Sequence, residues 1–159
     1  MRITVVGDAP CDLAPVRSAM HRAAKPYGLP PDALAHLAFV DDGAMRALNQ
    51  RYRGIRTTTD VLAFGEALPP GTKGAAAVPL IEARRPYNGG RFDLGEVVIS
   101  ADQAARQARR ARRPVGREVA FLAAHGVLHL LGYDDETPTG YREMVRLGQD
   151  AVRQKSVKR

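Results

Sequence analysis

Cysteine occurs once in the 159 residues, at Cys11, which excludes an internal disulfide and fits a reducing compartment. Tryptophan is absent and aromatic residues make up only 6% of the chain, so a core has to be assembled from Leu, Val and Ala. No apolar run is long enough to cross a bilayer; the longest, VAFLAAHGVLHLLG, carries two histidines. The N-terminal MRITVVGDAP has one Arg, a brief apolar run and then an acid, which is not the order of a secretory signal. A cytoplasmic globular protein with no membrane partner is expected. Its 159 residues suit a single domain able to bury a core without staples.

Acidic residues are in the minority. Seventeen Asp and Glu face 24 Lys and Arg, giving a net charge of +7, which favours a polyanionic partner such as nucleic acid. The arginines also cluster: Arg51, Arg53 and Arg56 lie mid-chain, and Arg106, Arg109, Arg110, Arg112, Arg113 and Arg117 come just before the two histidines.

Hydrophobic periodicity predicts an α+β fold, with a small sheet of about four strands covered by helices. RITVV alternates and ends at Gly7 as a first strand. Asp12 is placed to cap a helix carrying Leu13, Val16, Met20 and Ala24. DALAHLAFV reads as a second strand, followed from Asp42 by an amphipathic helix marked by Met45, Leu48 and Tyr52. TTTDVLAF and LGEVVIS are the third and fourth strands. Between them, Gly65 to Asp93 has no sustained period and repeated Gly and Pro, the pattern of a long mobile loop. Ser100 and Gln103 form a capping box for a helix to about Arg112, which Pro114 interrupts. The next helix contains the histidines and stops at Gly132. Thr137 and Pro138 open a last helix, whose inner face is expected to be Tyr141, Met144, Val145, Gly148 and Val152. The order is βαβαββααα.

His125 and His129 lie one helical turn apart, so both rings leave the same face with a rise of about 6 Å between them. Such a pair can hold one metal ion. Gly132 supplies a chain reversal that swings Asp135 back toward the rings, completing H-x-x-x-H-x-x-G-x-x-D, a metzincin-like helix and turn. Three protein ligands leave a coordination position open, the mark of a catalytic site. Zinc fits, and so do Fe, Ni and Mn. Gly126 stands where HExxH peptidases carry their general-base Glu, which argues against peptidase chemistry. No side chain stands out as a general base. Asp134 is a backup ligand beside Asp135, while Tyr133 is expected to pack the turn, His21 to lie at the surface and His36 within a strand.

HGVLHLLGYDD resembles the H-G-x-L-H-L-x-G-Y-D-H signature of the YbeY family. LNQRYRGIRTTTDVLAF is similar to that family's L-N-x-x-Y-R-…-T-D-V-L-S-F block, and LGEVVIS to its L-G-D-I-V-I-S strand. The resemblance implies a single metal-dependent, single-strand-specific endoribonuclease domain over residues 1–159. It also implies a role in rRNA processing, 16S rRNA 3′-end maturation and ribosome quality control. Implied with it are one Zn(2+) per chain, a cytoplasmic location, and rRNA and the ribosomal small subunit as partners. Carried over by position, His125 and His129 are metal ligands, His125 being also catalytic, and Arg53 matches a functionally required arginine. Asp135 stands where the family has a third His, and the resemblance implies that Asp134, the motif acid beside it, orients the loop. A carboxylate there lowers the charge of the ligand set by one and should make the metal a weaker Lewis acid. Arg53, Arg106, Arg109, Arg110 and Arg113 are the expected RNA-binding residues. The alternative is a ribosome-associated RNA-binding factor whose metal mainly organises the fold.

Overall fold

A computed structural model describes residues 1–153. The elements run β1 (Arg2–Val6), α1 (Leu13–Ala24), β2 (Leu34–Val40), α2 (Asp42–Arg53), β3 (Val61–Phe64), α3 (Val78–Glu82), β4 (Asp93–Ser100), α4 (Ala101–Ala111), α5 (Val115–Leu130) and α6 (Pro138–Val152). The four strands form one mixed sheet in the order β1-β2-β4-β3. β1, β2 and β4 are parallel, and β3 is antiparallel to β4. The α+β expectation therefore holds, and the observed elements follow the expected order with one addition.

That addition lies in the segment expected to be a structureless loop. It contains α3 and 3-10 turns at Gly74–Ala77 and Arg85–Tyr87, and it buries Ala77, Ile81 and Phe92 in the main core. Its turns are too short to build up a period, and its anchors are too far apart in sequence to form a stripe. Arg85 braces it further, donating from its two Nη atoms to the Asp32 carboxylate at 2.6 and 2.9 Å.

Helix starts follow local chemistry. Asp41 Oδ1 accepts from Ala44 N at 2.8 Å to open α2, and Thr137 Oγ1 accepts from Gly140 N at 3.0 Å to open α6. Ser100 Oγ accepts from Gln103 N at 3.1 Å, but the capping box is only half made. Ser100 N donates instead to Asp60 O at 2.9 Å, which frees the Gln103 side chain to receive Arg106.

α5 is the central element and touches α1, α4, α6, β3 and β4. Gly126 explains how it lies so close to the sheet: a Cβ there would stand 2.4 Å from Val97 Cγ1 on β4. The position that bears a catalytic Glu in HExxH peptidases is thus a packing contact in this chain. On α6, Met144 and Gly148 are buried as expected, but Tyr141 is 55% exposed. It lies in the first turn and faces an open recess that it shares with Phe121 and His125 of α5.

Candidate metal centre and cleft

α5 presents His125 and His129 on one face, and their rings meet edge to face with centroids 4.6 Å apart. Past Leu130 the chain turns at Gly132, whose φ of +89° is the left-handed conformation glycine adopts at least cost. A Cβ at that position would also lie 2.1 Å from the Thr72 carbonyl oxygen, so no other residue fits without movement. The turn returns Asp135 to the rings. His125 Nε2 and His129 Nε2 are 3.0 Å apart, and Asp135 Oδ2 lies 3.3 Å from the first and 3.5 Å from the second. These three residues are the group that brings three potential ligand atoms together among the described residues.

The arrangement fits a metal ion on three counts. A tetrahedral ion with ligands at about 2.0–2.1 Å holds neighbouring donor atoms roughly 3.3 Å apart, which matches the triangle observed. His129 Nδ1 faces the Tyr133 carbonyl oxygen at 3.0 Å; donating that hydrogen bond fixes the tautomer whose Nε2 lone pair faces the cluster. Burial, and then the neighbouring His129, lower the pKa of His125 against the opposing pull of Asp135 and Asp60. That favours the neutral imidazole, which is the ligating form. His125 Nδ1 is buried without a hydrogen-bond partner among the described residues, so the polar contacts of this ring are confined to its Nε2 side.

A cleft of about 350 Å³ opens over the triad, and its walls include Arg53, Thr59, Asp60 and Glu136. Arg53 reaches it from the last turn of α2, which Gly54 ends in a left-handed conformation. Asn49 Nδ2 donates to Thr57 O at 2.8 Å and so ties the loop after α2 back onto the helix, delivering Thr59 and Asp60 to the cleft.

The sequence-predicted residues divide. His125, His129, Asp135 and Arg53 share this one cleft. Arg106 points elsewhere. Its guanidinium grips the Asp42 carboxylate at 2.6 and 2.8 Å and Gln103 Oε1 at 2.6 Å, pinning α4 to the start of α2. Arg109 and Arg110 are exposed on α4 outside the walls of this cleft, whereas Arg113 lines an adjoining recess that also contains His125 and Asp135. Asp134 stays out of the triad and accepts from the Glu136 N–H, as a loop-orienting residue should. Tyr133 packs the turn, and its hydroxyl donates to Tyr27 Oη at 2.8 Å. His21 is exposed, and His36 sits in β2 between Thr4 Oγ1 (2.6 Å) and Asp93 Oδ2 (3.3 Å).

Sequence reasoning missed the polar group behind the site. Gln107 Nε2 donates to Asp60 Oδ2 at 3.2 Å and to Glu118 Oε1 at 3.0 Å, and buried Glu118 lies 3.4 Å from Arg113 Nη2. The local patterns around Asp60, Gln107 and Glu118 give no sign that these residues meet. The Thr-Asp-Val order around Asp60 was the one available signal.

Residues 13–155 match the family model described as Endoribonuclease YbeY. Among curated proteins of that name, one from Anaeromyxobacter sp. is 43% identical over 77% of this chain and 54% of its own length. One from Moorella thermoacetica is 39% identical over 83% of this chain and 79% of its own length. One from Desulforamulus reducens is 40% identical over 86% and 81%. A solution structure of a Thermotoga maritima protein covers 95% of this chain and 87% of its own at a TM-score of 0.58 and 21% identity, a likeness of fold.

Proposed function

The chain belongs to the YbeY endoribonuclease family, and from that premise we propose that it is a metal-dependent endoribonuclease specific for single-stranded RNA. We place its action in the cytoplasm, on ribosomal RNA in company with the small subunit, in 16S rRNA 3′-end maturation and ribosome quality control. The observation that carries the reading is the convergence of His125, His129 and Asp135 within 3.5 Å beside Arg53 in one cleft.

His125, His129 and Asp135 would hold one divalent cation, Zn(2+) in the first instance. When bound, such an ion supplies Lewis-acid polarisation of a phosphoryl oxygen and eases the ionisation of water. Arg53 does the positioning. Its planar fork can take two oxygens of the scissile phosphate and stay with them as charge builds in the transition state. Arg113 binds the neighbouring backbone, and Arg109 and Arg110 attract RNA electrostatically from outside the cleft. Arg106 is engaged by Asp42 and has a weaker claim to substrate.

Elemental analysis paired with RNA cleavage before and after chelation tests this reading. The expected result is about one metal per chain, with cleavage that chelation abolishes and metal restores, while the chelated protein stays folded. A chelated protein that unfolds would favour the fold-organising metal instead. Asp135→Ala should lower metal occupancy, and Asp135→His should match or exceed the parent. Equal metal in all three proteins would remove Asp135 from the ligand set.

A further inference from the structure

The cleft does not end at His125. A second recess is walled by Asp60, Arg113, Phe121, His125, Tyr141 and Gln149, and a third, of about 110 Å³, by Arg113, Arg117, Phe121, Gln149, Val152 and Arg153. The first and second share Asp60, His125 and Asp135; the second and third share Arg113, Phe121 and Gln149. Three adjoining recesses therefore run from the triad, along α5 and α6, to a group of three arginines.

A single row of α5 forms their floor. Arg117, Phe121, His125 and His129 recur at every fourth residue and so form one ridge inclined to the helix axis, with Arg117 about 12 Å along the axis from His125. The Phe121 ring lies 6.0 Å from the His125 ring. It seats against Gly148 of α6, where a Cβ would stand 2.8 Å from Phe121 Cε2. The opposite wall presents Tyr141, 55% exposed in a groove beside the triad rather than in the core. Arg113 is stationed at the far end by Glu118, a carboxylate only 5% exposed, at 3.4 Å. Among the described residues, that contact leaves most of its five N–H donors unused.

A row that passes from metal ligands to an aromatic ring to cations matches one chemical partner, a nucleotide with a flat apolar base and an anionic backbone. We propose that this groove is a subsite for the nucleotide adjoining the scissile phosphate of single-stranded RNA. Its base lies against Tyr141 and Phe121, and its phosphate lies in the end formed by Arg113, Arg117 and Arg153. The proposal rests on the triad being the RNA-cleaving centre. Stacking accepts any base with a free face, so the subsite selects for unpaired RNA and not for sequence. A paired base has both faces covered by its neighbours and cannot use it.

The test uses the metal-loaded protein and a fluorescent single-stranded RNA decamer, with binding read by stopped-flow anisotropy before cleavage proceeds. A series of decamers each lacking one base accompanies it. Tyr141→Ala should weaken binding by at least about fivefold, and Tyr141→Phe should restore it. Omitting the base at one position should weaken the parent protein by the same factor and leave Tyr141→Ala unaffected. The double variant Arg117→Ala with Arg153→Ala should reduce the salt dependence of binding. Metal content should be unchanged throughout. If Tyr141→Ala binds every decamer like the parent, the subsite is wrong even where the parent cleaves RNA normally. If the Tyr141 and base-omission pattern appears in a protein that cleaves nothing with any metal, the groove stands as a base-stacking RNA-binding site, and the nuclease reading falls together with the placement beside a scissile phosphate.

Discussion

α5 and the stretch from Gly65 to Phe92 meet at the Gly132 turn, and they are made in opposite ways. α5 is regular over sixteen residues and buried along most of its length. The other stretch is a chain of short turns held by a few buried anchors and ion pairs. Yet the triad needs both. The helix sets the two rings against each other through its own backbone period, but the third donor is only as well placed as the turn that carries it. That turn is braced from the irregular side: Gly74 N donates to Leu131 O at 2.8 Å, the Thr72 carbonyl packs against Gly132, and Lys73 Nζ pairs with Glu143 at 2.7 Å. An irregular segment can thus place a candidate ligand beside two that a helix supplies, provided its few contacts fall on the right turn.

Substitution can break that comparison. The largest effect is expected from Ile81→Ala, which empties a site only 1% exposed in the irregular stretch and should cost about 2–5 kcal/mol in chemical denaturation. The folded variant should also bind metal more weakly. Unchanged metal affinity would show that the stretch merely covers the core and does not brace the turn. Gly126→Ala probes the regular partner. Its new methyl meets Val97, and we expect a loss of about 1–3 kcal/mol with α5 displaced from the sheet. No loss would mean that the helix-to-sheet spacing has slack, and that α5 is less rigid than the comparison requires.

The smallest effect sharpens the picture through pH. The Arg85 guanidinium holds the exposed Asp32 carboxylate below its ordinary pKa, chiefly by hydrogen bonding. A carboxyl group depressed in the folded state stabilises that state above its unfolded pKa of about 3.9, and the contribution disappears as pH falls through the folded value. Stability curves of the parent and Asp32→Asn should therefore run apart at neutral pH and converge in acid. A constant gap across that range would mean that the pair does not anchor the stretch.

Legibility followed the range of the contacts. His125, His129, Gly132 and Asp135 span eleven residues, and their meeting could be worked out from helix period and one left-handed glycine. The caps at Asp41 and Thr137 are equally local. Arg106 misled because a cluster of arginines looks alike in sequence whether its members face solvent or, like this one, close on Asp42 sixty-four residues away. Tyr141 misled in the other direction: its spacing with Met144 and Gly148 suits an inner face, but it faces an open recess beside Phe121 and His125 of α5 instead of a filled core. The helical turns between Gly74 and Tyr87 were invisible because each is too short to show a period.

By itself the chain sequence determined which side chains share a helix face and where the backbone reverses, because both depend on bond geometry over a few residues. It thereby determined the three candidate ligands. Only the tertiary structure decided that Arg53 joins them while Arg106 does not, that Gln107 links Asp60 to Glu118, and that a groove continues from the triad toward Arg153. Those outcomes depend on which distant elements come to lie side by side, and they were decided when α5 packed into the centre of the fold between the sheet and the other helices.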